Sequence, residues 1–153
     1  IYMTSENDIY FMKLALEEAM LGFDKGEVPV GAVLVREGNV IAKAHNTRET
    51  SNDPAGHAET LVLRAGAQAI DNWRLTDAIL YVTKEPCIMC AGTMVNSRLG
   101  RLVYGCKDEK GGAVDSLYNL LADKRLNHQV EVESGVLTEE CAEILQRFFR
   151  LRR

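Results

Sequence analysis

The stretch ILYVTKEPCIMCAGTMVNSRLGRLVYGC, Ile79 to Cys106, decides the fold. It opens and closes on short apolar runs, Ile79 to Thr83 and Leu102 to Cys106, which have the length and the β-branched and aromatic content of strands. Between them, Cys87 to Ser97 reads as a helix. A strand, a helix and a strand in that order imply two parallel strands joined by a crossover helix, and therefore a layered α/β sheet.

Working outward, the pattern repeats upstream. Val28 to Val35 and Val40 to Ala44 are apolar runs separated by the turn residues REGN, which predicts a β-hairpin. The polar segment HNTRETSNDPAG follows as a loop, and His57 to Ile70 reads as a second helix. At the amino end, Ser5 and Asp8 have the spacing of a capping box. Ile9, Met12, Leu16, Ala19 and Phe23 then trace one face of a helix ending near Gly26. Downstream, Val130 to Val132 adds a further strand. A last helix starts at Thr138 as its cap and carries Cys141, Ile144, Leu145, Phe148 and Phe149 on an apolar face. Ile1 and Tyr2 stand before Met3, read as residues added in cloning, and are left out of the fold reading.

Composition narrows the function. A chain of 153 residues, 46% apolar, is the size of one domain with a full core, and it carries no internal repeat or low-complexity tract. It has no apolar run long enough to span a membrane and no secretory leader, so a cytoplasmic protein with no membrane partner is expected. In that reducing setting the cysteines at 87, 90, 106 and 141 are not a disulfide framework, and the close pair reads as metal-binding. Cys106 and Cys141 sit in apolar patterns and read as buried thiols, while His45 and His128 read as surface or hydrogen-bonded. A net charge of −4 gives no overall attraction to nucleic acid. The four arginines among the last seven residues supply cations only locally.

Two motifs carry the chemistry. Pro86 suits the first turn of a helix and sets Cys87 and Cys90 three apart on one face, so that both sulfurs reach one ion. A helix amino terminus also favours the thiolate that zinc needs. His57 opens the other helix, and two helix starts side by side at the carboxyl edge of a parallel sheet bring His57, Cys87 and Cys90 together. Three protein ligands leave one position open, as in catalytic rather than structural zinc sites. Glu59, in the first turn beside His57, is assigned proton transfer. Asn46 follows a strand and faces the same edge, as a pocket residue or as a loop-capping asparagine.

These residues resemble the zinc-dependent nucleoside and nucleobase deaminases, and among them the bacterial tRNA adenosine deaminases. The likeness runs through EVPVGAVLV, AHNTRE, NDPAGHAE, NWRL, LYVTKEPCIMCAGTMVNSRLGRLVYG, GGAVDSLYNLL, LNHQVEVESGVL and CAEILQRFFRLRR, almost the whole chain. It implies a three-layer α/β/α cytidine-deaminase-like fold with a mixed sheet of about five strands. It also implies one zinc per chain on His57, Cys87 and Cys90, and Glu59 as general acid and base. The implied reaction is hydrolytic deamination of the wobble adenosine, position 34 of a tRNA anticodon stem-loop, to inosine. By the same resemblance Asn46 binds the purine, Pro29 and Val30 wall the pocket, Phe149 faces outward to RNA with Arg150 beside it, and the protein is a homodimer with both subunits shaping each RNA site. No DNA partner is expected. Departures from the pattern are Gly56 for alanine, expected to loosen the loop into the site, Lys84 for leucine, and Gln129 for a basic residue.

Two rivals remain at this level. A deaminase of free guanine or cytosine shares the zinc motifs but has no use for the terminal RFFRLRR. A zinc-stabilised binding module would need a fourth protein ligand and would have no role for Glu59.

Overall fold

The computed structural model describes residues 5–152, and the strand–helix–strand unit of the deciding stretch forms as read: β3 (Ala78–Lys84), α3 (Ile88–Asn96) and β4 (Arg101–Cys106). Before it come α1 (Ser5–Asp24), β1 (Gly31–Arg36), β2 (Asn39–His45) and α2 (Ala58–Ala69); after it come a single 3-10 turn (Leu120–Ala122), β5 (Glu131–Ser134) and α4 (Thr138–Leu151). The five strands form one mixed sheet in the order β2-β1-β3-β4-β5. β1 pairs antiparallel with both β2 and β3, whereas β3, β4 and β5 are parallel.

Alternation along the strands builds the layers. Leu34, Leu80, Val82, Leu102 and Tyr104 pack on one face with Val62 and Leu63 of α2 and Met94 of α3. Val33, Val35, Tyr81 and Val103 point the other way, onto Phe11, Met12 and Ala15 of α1 and Cys141 of α4. Such period-two exchange between two apolar faces is what a sheet covered on both sides requires. The expected three-layer α/β/α arrangement is therefore present. The hairpin between β1 and β2 turns at Glu37 and Gly38, both with positive φ (52° and 79°), the conformation that matches the twist of the strands it joins.

Several local readings are corrected. Val28 to Val30 lie outside the strand, which begins at Gly31. α1 buries Phe11, Met12, Ala15 and Ala19, while Ile9 is exposed; two overlapping apolar stripes satisfied the helical spacing, and packing on the sheet selected the one with small residues. Asp8 does not cap. Its carboxylate is buried, accepts from Arg101 Nη1 and Nη2 at 2.9 and 3.0 Å and from the Tyr81 hydroxyl at 2.8 Å, and ties α1 to β3 and β4. The Ser5 side chain, Ile1 and Tyr2 lie outside the described residues. Thr138 does not cap α4. Leu137 occupies the cap position with φ 55°, and the Thr138 hydroxyl donates to the Gly105 carbonyl at 3.1 Å. Cys106 and Cys141 are buried free thiols; His45 lies 3.1 Å from Glu18 Oε1 and His128 lies 2.8 Å from the Leu99 carbonyl.

Candidate active site and metal centre

Two helix starts meet at the carboxyl edge of the parallel strands. His57 and Cys87 are the amino-terminal caps of α2 and α3, both in extended backbone. Pro86 therefore stands just before the cap rather than in the first turn. Side chains at a cap fold back toward the third helical residue, and this brings Cys87 Sγ within 3.7 Å of Cys90 Sγ. His57 Nδ1 lies 3.4 Å from each sulfur. A tetrahedral zinc, with bonds of about 2.3 Å to sulfur and about 2.0 Å to nitrogen, would place two sulfurs about 3.7 Å apart and sulfur and nitrogen about 3.5 Å apart. The donor set therefore fits a metal of that kind. It is a cluster that can hold one ion through three ligands.

The electrostatics follow from contact and burial. Contact with Cys90, helped by His57, draws the Cys87 thiol down to about 3 against the cost of burial. Reciprocally, contact with Cys87 and burial push Cys90 up. The hydrogen bond to Cys87 raises His57. Glu59, 4% exposed, is lifted by burial to about 7, against the opposing pull of its own backbone N–H and of His57. A carboxyl near neutrality can both take and return a proton.

Glu85 behaves in the opposite way. It was read only as part of the cysteine motif, yet it is the most heavily hydrogen-bonded group at the site. Its carboxylate accepts the backbone N–H groups of Asp108, Val114, Asp115 and Ser116 at 2.8 to 3.2 Å and the Ser116 hydroxyl at 2.6 Å. Burial opposes its charge, but these donors, led by the Ser116 hydroxyl, hold it at about 2. The 108–116 loop is thereby wound around the residue preceding the cysteine helix, and Ala113 N–H donates to the Pro86 carbonyl at 2.9 Å. A Cβ at Gly112 would strike the Glu85 carboxylate, so the loop needs glycine there. Nothing local announces this; its partners lie 23 to 31 residues away.

A cavity of about 300 Å³ opens over the cluster, lined by Val28, Val30, Asn46, Arg48, His57, Glu59, Lys84, Glu85, Cys87, Asp108 and Phe149. Of the residues singled out from the sequence, Val30, Asn46 and Phe149 reach it with His57, Glu59 and Cys87. Cys90 lies buried beneath, Pro29 is buried outside the lining, and Arg150 is exposed away from it. Asn46 Oδ1 accepts the Ala58 N–H at 2.9 Å, an amino-terminal cap for α2 supplied from the residue that follows β2. Its oxygen is thus committed, which turns the amide NH₂ into the group available to a ligand. Phe149 is 49% exposed while Phe148 is buried, as two adjacent helical positions allow. Two of the terminal arginines are occupied elsewhere: Arg147 lies over the Phe23 ring at 5.0 Å and Arg152 over Phe148 at 4.4 Å. The basic end is therefore partly a stacking seam between α1 and α4.

The departures also find their places. Gly56 lies in a hydrogen-bonded loop: its N–H donates to the Asp53 carbonyl at 3.0 Å and its carbonyl accepts from Thr47 N–H at 2.8 Å. Buried Glu27 pins the same loop by accepting the Glu49 and Thr50 N–H groups. Gln129 donates to the Asp123 and Leu126 carbonyls, both at 3.0 Å. Lys84 pairs with Asp108 at 3.2 Å.

The chain is a five-stranded α/β/α sandwich with His57, Cys87 and Glu59 lining one cavity over Cys90; a family model of MafB19-like deaminases matches residues 6–153, so the chain belongs to that family. It is 53% identical over 143 residues to the tRNA-specific adenosine deaminase of Bacillus subtilis (strain 168), covering 94% of this chain and 89% of the relative. It is 48% identical over 150 residues to the tRNA-specific adenosine deaminase of Haemophilus influenzae, covering 97% and 87%. A structure solved in a study of A-to-I editing by tRNA:A34 deaminases at the wobble position superposes with a TM-score of 0.85 at 45% identity, over 88% of this chain and 98% of that one. The guanine deaminase of Nitrosomonas europaea superposes with a TM-score of 0.80 at 21% identity, a likeness of fold alone. Among the described residues no helix is long and apolar enough to cross a membrane.

Proposed function

We propose that this chain is one deaminase domain, residues 1–153, that converts the wobble adenosine, position 34 of a tRNA anticodon, to inosine with release of ammonia. The observation that carries the reading is a cavity lined by His57, Cys87 and Glu59 over the His57–Cys87–Cys90 cluster, in a chain about half identical to tRNA-specific adenosine deaminases over nearly its full length.

His57, Cys87 and Cys90 would hold one zinc ion per chain, which when bound would supply Lewis acidity to the attacking water. Glu59 moves the protons. Its carboxylate takes one from the water that adds to C6 and delivers it to N1 of the purine, then takes the remaining hydroxyl proton at C6 and passes it to the departing amine, so that the C6–N bond breaks as C6=O forms. Water enters and ammonia leaves, so the reaction balances without a redox partner. Asn46 donates its amide NH₂ to the purine, Val30 shapes the wall, and Phe149, with Arg150 next to it in the chain, offers the RNA a stacking face. An adenosine inside a duplex cannot reach such a recess; a flipped base in an anticodon loop can.

The protein works as a homodimer in this reading, supported by exposed Ile88, Leu117 and Tyr118 at the start of α3 and on the loop packed against it. The cytoplasm, where tRNA and reduced thiols coexist, is its setting. The test is to incubate the zinc-loaded protein with an anticodon stem-loop carrying adenosine at the wobble position, digest it to nucleosides and look for inosine by mass spectrometry. Inosine at that position is the expected result. Faster turnover of free guanine or cytidine would overturn the reading in favour of a free-base deaminase.

A further inference from the structure

The cations lining the cavity are Arg48 and Lys84. Lys84 is the last residue of β3, directly before Glu85, and its Nζ lies 3.2 Å from Asp108 Oδ2 with both side chains partly open to solvent. An ammonium carries three donors and the ion pair engages one of them. Asp108 is itself fixed, because its backbone N–H donates to Glu85 Oε1 and its Oδ1 accepts the Lys110 and Gly111 N–H groups. The lysine head is therefore tethered to an anchored carboxylate beside the cavity instead of sweeping freely.

A space of about 300 Å³ is at the small end of ligand cavities and takes a nucleobase and its sugar. The phosphates attached to that sugar stay outside. A polyanion approaching there would meet the Asp108 carboxylate, and in a chain of net charge −4 it needs a local cation to offset that repulsion. We propose that Lys84, held by Asp108, is a specificity-determining residue that binds a phosphate flanking the nucleotide in the cavity and so favours a nucleotide within a strand over a free nucleoside. This rests on the polynucleotide reading above.

The experiment measures binding of the zinc-loaded protein to the wobble-adenosine stem-loop by fluorescence anisotropy across a salt series, with wild type, Lys84→Met and Lys84→Arg. Loss of one phosphate contact to a single strand makes the log–log salt dependence shallower by about 0.7, and weakens binding several-fold at low salt. Lys84→Met is expected to show both, with the deamination defect in KM rather than kcat, and Lys84→Arg is expected to restore the slope. A Lys84→Met slope equal to wild type, in protein with unchanged melting, overturns the proposal. So does a defect that vanishes in the Asp108→Asn background, because Lys84 would then act only by masking Asp108. Failure of the wild-type protein to bind the stem-loop overturns the polynucleotide reading and the proposal with it; normal wild-type binding with an inert Lys84 sinks the proposal alone.

Discussion

The start of α2 and the segment entering α3 each place a buried glutamate on the same cavity, and the two carboxyls move in opposite directions. Glu59 has only its own backbone N–H and the more distant charges of His57 and Lys84 to stabilise its charge, and burial outweighs them and lifts it to about 7. Glu85, equally hidden, is wrapped by four backbone N–H groups and a hydroxyl and falls to about 2. Burial alone therefore does not decide the state of a carboxylate; the number of donors aimed at it does. The poorly solvated glutamate retains affinity for a proton and is suited to moving one. The fully hydrogen-bonded one is locked as an anion and is suited to holding a loop.

The largest expected consequence of this division is in catalysis. Glu59→Gln keeps the shape of the side chain and removes its proton transfer, so deamination should fall by at least about a hundredfold, with zinc content and melting temperature retained. Wild-type turnover in that variant would remove Glu59 from the chemistry and erase the contrast.

Glu85→Ala should act on stability first. It strands the N–H groups of Asp108, Val114, Asp115 and Ser116, and unpaired buried donors cost about 1–3 kcal/mol each where water cannot reach them. With partial relaxation, a loss of about 3 kcal/mol in denaturant unfolding is expected, and zinc retention should weaken as the loop releases Pro86. A change below about 0.5 kcal/mol would show that the loop holds without the carboxylate.

The smallest effect is in pH dependence and sharpens the same comparison. Glu85 has a folded pKa of about 2, below its ordinary value of 4.5. Its contribution is therefore complete above about pH 4.5 and is lost as pH falls toward 2. The difference in unfolding midpoint between wild type and Glu85→Gln should be level above pH 5 and should shrink steadily in more acid solution. A difference that stays constant down to pH 2.5 would mean that the carboxylate is not the stabilising form.

Much of the site was legible because its chemistry is local. The cysteines are three apart at one helix start, the histidine and Glu59 are two apart at another, and an α/β alternation puts helix starts at one edge of a sheet. The hairpin, the crossover and the terminal helix followed from periodicity in the same way. Where two patterns fitted one segment, periodicity was silent. The choice of the Phe11–Met12–Ala15 stripe over the one through Ile9 was made by packing on β1, and the capping role given to Thr138 was lost to Leu137 because its hydroxyl found a strand carbonyl instead.

Glu85, Asp8 and Asn46 mark the other boundary. The sequence by itself determined the candidate ligand set, the proton-transfer candidate and the order of strands and helices along the chain, since these depend on residue type and short spacing. Only the tertiary structure decided that Glu85 gathers the 108–116 loop, that Asp8 meets Arg101 93 residues away, that Asn46 caps α2 from β2's end, and that Phe149 arrives at the cavity from the far end of the chain. The reason is physical: a buried polar group must be satisfied by whatever the fold brings next to it, and that neighbour is set by how the layers stack, which no short window of sequence contains.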